Sequence, residues 1–378
     1  MSRAVPFVVL AAGGTGGHVF PAEALAAELQ RRSCRLAVVT DRRGGQALAG
    51  ALGAIETHFI RAGGIAGKSM TGVLKSAPEL VIGFVQAWSL LRRLAPDAVI
   101  GFGGYAAMPT MLAATYARLP TALHEQNAIL GRANRLLAPR VGRIATSFET
   151  FHGMPPEAVA KAVHTGMPVR PSVVAARDRA YKTPTDSSPL KLLVTGGSQG
   201  ARIFSEVIPK AIGLLPETLR HRLLIVQQCR PENLEATRAA YAAFGMEPVL
   251  KSFFDDLPER LAESHLLIGR AGASTIAELT TIGRPAILVP YPSAIDDHQT
   301  ANAHAIDEAG AGWLMPETAF TPFSLAQRLD SLFTMPMTLE KAAAAARAAG
   351  RPDAAARLAD LVLAMLPNGS AKPERVAA

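Results

Sequence analysis

Apolar and polar positions fall in blocks along this chain, short β-type runs giving way to longer stretches with helical spacing. Runs at residues 5–12, 35–40, 55–61, 97–102, 120–124, 142–147 and 162–165 predict strands in the first half. Runs at 190–195, 222–228, 248–251, 265–269 and 285–290 predict strands in the second. Strands separated by helical stretches imply parallel sheets with crossover helices, an α/β class. Two of the runs lead into glycine turns half a chain apart, GGTGGH at 13–18 and GGSQGAR at 196–202. Glycines let the backbone approach a ligand, and the free N–H groups and dipole of the following helix attract anions. One such turn is common, but two predict two Rossmann-like halves facing each other across a cleft. Residues 178–189 (DRAYKTPTDSSP) have the composition of a surface loop, and a hinge is expected just before them, near 166–170. The chain reads as helical from about 338 to 366, and its last dozen residues as a disordered tail, 367–378.

Composition agrees with that organisation. A chain of 378 residues with 49% hydrophobic and 19% charged content suits two globular domains whose sheets are buried on both faces. The two cysteines, Cys34 and Cys229, lie in apolar surroundings and read as buried thiols. The apolar run at 5–12 has too short a charged flank for a signal peptide and leads directly into a turn, so it reads as the first strand. No run reaches the roughly 18 apolar residues of a membrane span; the nearest, 80–94, is broken by Gln86, Arg92 and Arg93. The net charge of +8 is unevenly placed. Residues 1–170 hold 18 Lys and Arg against 9 Asp and Glu, whereas the remainder hold 21 against 22. That excess is either an ordinary solvated surface or a face for a polyanion. With 6% aromatics and no nucleic-acid motif, an anionic membrane is the expected partner and nucleic acid is not.

The candidate chemistry sits at predicted strand ends. The first turn fails the dinucleotide pattern because Val19 stands where the third glycine belongs, although Asp41 occupies the place of a ribose-binding acid. His18, opening a helix, is a candidate general base or a histidine that merely bonds the turn. His124-Glu125-Gln126-Asn127 follow a buried strand, where four polar residues in succession need partners. His124 or Glu125 is the alternative base or its orienter, unless the segment is a structural loop. Gly103, Gly104 and Tyr105 form a third glycine turn that suits a second anion. In the other half, Ser274 and Thr275 are expected to cap a helix carrying Glu278. Its N-terminus suits a diphosphate, and Glu278 a ribose diol. The pair Asp296-Asp297 lacks a third carboxylate for a metal, so a helix cap is expected there, with Gln299 reaching a sugar hydroxyl.

Eight motifs in order, GGTGGH (13–18), FGGY (102–105), HEQNAILGRANRLLA (124–138), GMPVR (166–170), GGSQGAR (196–202), FDD (254–256), RAGASTIAEL (270–279) and DHQTANA (297–303), resemble the MurG family. These are peripheral-membrane N-acetylglucosaminyltransferases of peptidoglycan synthesis. Met167 and Ala271 depart from the family pattern at positions whose side chains are not used. The resemblance implies the glycosyltransferase-B fold, with the last helix crossing back to the first domain. It implies an acceptor and membrane domain over 1–166 plus about 348–366, and a UDP-GlcNAc domain over 167–347. It further implies inverting transfer of GlcNAc from UDP-GlcNAc to the C4 hydroxyl of undecaprenyl-diphospho-MurNAc-pentapeptide (lipid I), at the cytoplasmic face of the inner membrane. No cofactor or metal is expected. Thr15, Gly16 and Gly17 would meet the donor sugar and diphosphate edge, Asn127 a GlcNAc hydroxyl, Arg170 and Ser198 the diphosphate, and Phe254 uracil. Ala273, Ser274 and Thr275 would surround the phosphates, with Glu278 on the ribose and Gln299 on the sugar. A UDP-GlcNAc 2-epimerase or a non-catalytic nucleotide-sugar binder of the same fold are the alternatives.

Overall fold

The computed structural model describes residues 5–13, 16–42, 52–62, 70–197 and 200–366. Thr15, Ser198, Lys68 and the tail at 367–378 lie outside the described residues, as does the side chain of Lys75. Among the described residues, seven parallel strands form the first sheet: β1 Phe7–Ala11, β2 Arg35–Thr40, β3 Glu56–Phe59, β4 Ala98–Gly101, β5 Thr121–Glu125, β6 Arg143–Thr146 and β7 Ala162–His164. Their spatial order is β3-β2-β1-β4-β5-β6-β7. The second sheet holds β8 Leu190–Thr195, β9 Leu223–Gln228, β10 Val249–Lys251, β11 Leu266–Gly269, β12 Ala286–Leu288 and β13 Gly312–Leu314, in the order β10-β9-β8-β11-β12-β13. Both sheets reverse direction beside their first strand. A doubly wound sheet binds ligands at that switch point, outside the carboxyl ends of its strands. The two glycine turns follow β1 and β8 and therefore open at the two switch points.

β1 reads FVVLA and is buried throughout, as a central parallel strand must be. Its alternate residues serve opposite layers. Phe7, Val9 and Ala11 join the core that contains Ala87, Leu91 and Met111 from helices α2 (Met70–Leu94) and α3 (Gly104–Tyr116). Val8 and Leu10 join the core built with Leu25 and Leu29 of helix α1 (Gly16–Arg31). That second core also takes Leu358, Ala359 and Val362 from the C-terminal end of the chain.

The alanine-rich C-terminal stretch, read as helical from about 338 to 366, is interrupted near the expected start of the returning helix. Residues 350–353 (GRPD) divide it into Pro336–Ala349, which packs in the second half, and Ala354–Ala364, which lies on α1. Proline and a preceding residue disfavoured for α geometry account for the break. Arg32 fastens the final helix, donating to the Ala356 carbonyl at 3.2 Å and pairing with Asp360. The strand missed from the pattern is β13, whose three residues begin with glycine; it pairs with β12 through Ala286 and Gly312. Truncating the fully buried Leu358 to alanine should cost about 2–5 kcal/mol. Chemical denaturation should show a lowered midpoint; an unchanged midpoint would mean that the returning helix does not stabilise the first half.

Candidate functional site

A cavity of about 1880 Å³ separates the two sheets and is lined from both sides. The first half contributes Gly17, His18, Gly104, Tyr105, Gln126 and Asn127. The second contributes Arg170, Phe254, Ala273, Ser274, Thr275, Glu278 and Gln299. Helix N-termini converge here: α1 at Gly16, α3 at Gly104, α6 (Arg202–Gly213) at Gly200–Arg202, and α10 (Ala273–Ile282) at Gly272. Each places unpaired N–H donors and a positive dipole end at the cavity wall, so the cleft is built for anions. A side chain on Gly196 would stand 2.2 Å from the Ala201 nitrogen, which explains that glycine after β8. Gly103 and Gly104 have φ of +82° and +71°, a conformation that only glycine holds cheaply.

Two local expectations need correction. Ser274 and Thr275 do not cap α10; Gly272 occupies that position and makes no side-chain cap, which leaves both hydroxyls inside the first turn, facing the cavity. His124 and Glu125 belong to β5 itself, because β6 continues alongside and pairs with both. They are buried and do not line the cavity. The Glu125 carboxylate accepts from Asn127 N at 3.0 Å, Gly131 N at 2.9 Å and Asn134 Nδ2 at 2.8 Å. His124 donates Nε2–H to the Gly166 carbonyl at 3.3 Å, and its Nδ1 accepts from Gln126 Nε2 at 3.0 Å. Burial pushes the His124 ring down to about 4. Both groups hold the loop, whereas His18 meets the cavity.

His18 is half-buried, and burial pushes its ring below the ordinary histidine value, opposed by the charge of Glu125 and the hydrogen bond that the ring gives to Gln126. Its Nδ1 lies 3.1 Å from Gln126 Oε1. The Nε2 edge stands 3.4 Å from where a β-carbon on Gly104 would be. Across the cavity, Arg170 donates Nη2–H to Glu278 Oε1 at 3.1 Å and stacks 5.0 Å from the Phe20 ring of α1. Burial raises the Glu278 carboxyl, with Arg170 pulling the other way. Arg170 thus touches both halves. Gln299 accepts from the Tyr291 amide at 3.0 Å, which leaves its amide N–H groups for a ligand. Asp297 does precede helix α11 (His298–Glu308), but its carboxylate takes the Thr300 hydroxyl, while Asp296 holds Arg132 of the first half in a two-pronged pair.

Asn302 was not among the residues singled out by sequence. It is fully buried on α11, accepts from Ala128 N at 2.8 Å, and donates to Asn127 Oδ1 and Ala271 O at 3.1 Å each. One amide therefore joins the Asn127 loop to the turn before α10. Its signal, an asparagine on the inner face of the helix after Gln299, is indistinguishable in sequence from a solvated polar position.

The glycosyltransferase family 28 N-terminal domain matches residues 8–146, and the family 28 C-terminal domain matches residues 191–358. The chain belongs to glycosyltransferase family 28. It is 60% identical over 370 residues to a protein of Paramagnetospirillum magneticum, with 98% of this chain and 100% of the relative covered. It is 57% identical over 360 residues to one from Rhodospirillum rubrum, covering 94% and 91%. Both relatives are named UDP-N-acetylglucosamine–N-acetylmuramyl-(pentapeptide) pyrophosphoryl-undecaprenol N-acetylglucosamine transferase. The crystal structure of MurG from Acinetobacter baumannii superposes with a TM-score of 0.77 at 31% identity, covering 95% and 99%. A UDP-GlcNAc 2-epimerase from Neisseria meningitidis, at 14% identity and a TM-score of 0.64, shares the fold alone. This family 28 enzyme is accordingly a hexosyltransferase of the MurG type with the two-domain fold expected from its motifs.

A histidine held neutral by burial takes up a proton on unfolding. The stability that rests on neutral His124 is present above pH 6.5 and is lost as pH falls from 6.5 toward about 4. Linkage sets that loss at about 3 kcal/mol. A His124→Gln variant should show a flatter acid limb over that interval in urea titrations; an acid limb as steep as in the unaltered protein would show that His124 is not held neutral.

Proposed function

We propose that this enzyme transfers GlcNAc from UDP-GlcNAc to the C4 hydroxyl of the MurNAc-pentapeptide carried on undecaprenyl diphosphate, lipid I, with inversion at C1. The observation that carries the reading is the position of His18 Nε2, beside the helix terminus at Gly104 in a cavity that the second terminus at Ala273 also lines. A base between two anion-binding walls suits a donor diphosphate on one side and an acceptor diphosphate on the other.

The donor lies against the second domain. Its diphosphate meets the N–H groups and hydroxyls of Ala273, Ser274 and Thr275 with Arg170, its ribose Glu278, its uracil the backbone at Phe254, and its sugar Asn127 and Gln299. Gly16 and Gly17 close over it, and Gly103, Gly104 and Tyr105 receive the acceptor diphosphate. As the C1–oxygen bond to UDP breaks, negative charge grows on the diphosphate, where helix dipole and guanidinium stabilise it. His18 removes the acceptor proton as the new C1–O4 bond forms.

UDP release should require a lipid I-type acceptor; release without it would point to hydrolysis or epimerisation. Glu278→Ala should raise the donor KM about 10- to 100-fold with a smaller change in kcat, because a charged hydrogen bond to a diol contributes roughly 1.5–3 kcal/mol. An unchanged KM would remove Glu278 from the donor site. His18→Ala should lower kcat on the order of 10²- to 10⁴-fold while UDP binding persists. Because the base works neutral, kcat/KM should also fall on the acid side of neutrality.

The acceptor's lipid keeps the first domain at a bilayer, and we assign the docking face to α2. Ala87, Leu90 and Leu91 are buried, and Phe84 and Trp88 pack against the core, yet Val81 and Val85 are 63% and 59% exposed, and Tyr116, at 65%, lies edge-on to Phe84. The helix has an apolar face on each side. Arg92 and Arg93 at its end are exposed. Arg132, another cation of the basic first half, is instead committed to Asp296. Basic residues at an anionic surface contribute roughly 1 kcal/mol each, screened over about 10 Å at 0.1 M salt. Co-sedimentation with phosphatidylglycerol vesicles should fall as salt rises, and fall further for Val81→Glu with Val85→Glu. Equal binding by the double variant would place the docking face elsewhere.

A further inference from the structure

The reaction uses one nitrogen of His18, and an imidazole offers its lone pair from only one nitrogen at a time. Which nitrogen that is depends on the hydrogen bond made by the other. His18 Nδ1 faces the carboxamide oxygen of Gln126 at 3.1 Å. The orientation of that carboxamide is fixed from its other end. Gln126 Nε2 lies 2.9 Å from the Phe102 carbonyl, 3.0 Å from the His124 carbonyl and 3.0 Å from His124 Nδ1. Turned over, the amide would bring its oxygen against two carbonyl oxygens in a buried site, where unpaired and repelling acceptors are costly. Gln126 itself is 3% exposed, so water does not relieve that conflict. His124 completes the order: its Nε2–H is given to Gly166 O, so its Nδ1 is the acceptor that Gln126 requires.

We propose that Gln126 is a positioning residue that sets the tautomer of His18, holding the proton on Nδ1 so that the Nε2 lone pair faces the acceptor hydroxyl beside Gly104. The proposal rests on the reading of His18 as the base. Donation runs one way through the set, from His18 Nδ1–H to Gln126, from Gln126 to His124, and from His124 to the Gly166 carbonyl. In the reaction, Nε2 takes the proton from the acceptor hydroxyl while the oxygen forms its bond to C1 and UDP departs with the electron pair of the broken bond. The imidazolium so formed carries N–H on both nitrogens, and Gln126 Oε1 still accepts from Nδ1. Solvent then recovers the proton from Nε2 after product leaves. The charged or titratable groups around His18 are Glu125, which favours the imidazolium, His298 from the other half, which opposes it, and His124, whose ring and that of His18 disfavour each other's charge.

The tautomer is read directly by nitrogen-15 NMR of histidine-labelled enzyme, with His18 identified by the signal missing from His18→Gln. The expected spectrum shows a protonated Nδ1 and an unprotonated Nε2 at neutral pH. A His18 protonated on Nε2 overturns the proposal whatever the activity data show. Gln126→Leu should populate the other tautomer, lower kcat on the order of tenfold or more, and leave the KM for UDP-GlcNAc within about twofold. It should also move the acid limb of kcat/KM to lower pH, because the imidazolium loses an acceptor for Nδ1–H. A structural role alone would lower stability and leave that limb in place, and this result also overturns the proposal. Full turnover by His18→Gln would overturn the base assignment instead, and the NMR result distinguishes the two failures.

Discussion

Four polar side chains in succession, His124 to Asn127, stand at the buried end of a central strand, and the rest of the site depends on how they satisfy one another. Water reaches His124, Glu125 and Gln126 hardly at all, their exposure being 0%, 2% and 3%. A buried polar atom without a partner costs about 1–3 kcal/mol, so the run is stable only in an arrangement where donors meet acceptors. Glu125 collects the amides of Asn127 and Gly131 and the side chain of Asn134, which turns the chain sharply after β5. His124 and Gln126 point the other way and converge on Phe102 and His18. One strand end thereby shapes the loop that carries Asn127 and supports the histidine that meets the cavity. The two jobs fall to alternate residues because a strand sends successive side chains to opposite faces.

The same loop is where the two halves meet. Asn302 binds it from α11 and simultaneously binds Ala271, the residue before the turn that opens α10. Arg170 reaches Glu278 and Phe20, and Arg132 reaches Asp296. These three contacts differ in kind. The Arg132 pair is open to solvent on the arginine side, so it is screened and contributes little. Asn302 is buried with all its partners present, so separating the halves strands several groups at once. Arg170 stands between: it is partly exposed, pairs with the buried Glu278 of the second half and lies against the Phe20 ring of the first, so one guanidinium bridges both walls.

Much of this was legible in the sequence. Twelve predicted strands appear close to their expected places because central parallel strands are continuous apolar runs between turn residues, as in FVVLA and LLIG. The glycine turns were legible because backbone approach leaves no alternative residue, as at Gly196 and Gly104. β13 was missed because three residues beginning with glycine carry no period. The break at 350–353 lay within a run of alanines whose helical tendency masks the end of one helix and the start of the next. Roles within the polar run were least legible. Sequence offered His18 as a candidate base with His124 or Glu125 as the alternative or its orienter, and only burial distinguishes the two that hold the loop from the one that meets the cavity. Asn302 passed unremarked and Gln126 stood out only as one of four polar residues in succession, since an amide's contribution depends on which groups it faces and not on its type.

Charge shows the same dependence on context. The first half carries the basic excess, but individual cations are spent differently once folded. Arg132 is drawn across the cleft by Asp296, Arg32 is held by the returning helix, and Arg135 and Arg140 cap nearby carbonyls. What remains beside the exposed valines of α2 is a smaller set, including Arg92 and Arg93 at the end of that helix. A surface field is the sum of all charges, so paired cations still attract a polyanion at a distance, less their partners' opposition. Close contact is another matter, because a guanidinium already held by a carboxylate has few donors left for a headgroup. Any long-range attraction of the first half to a polyanion would therefore belong to its composition, while the orientation in which it met a surface would belong to cations such as Arg92 and Arg93 and the apolar face beside them.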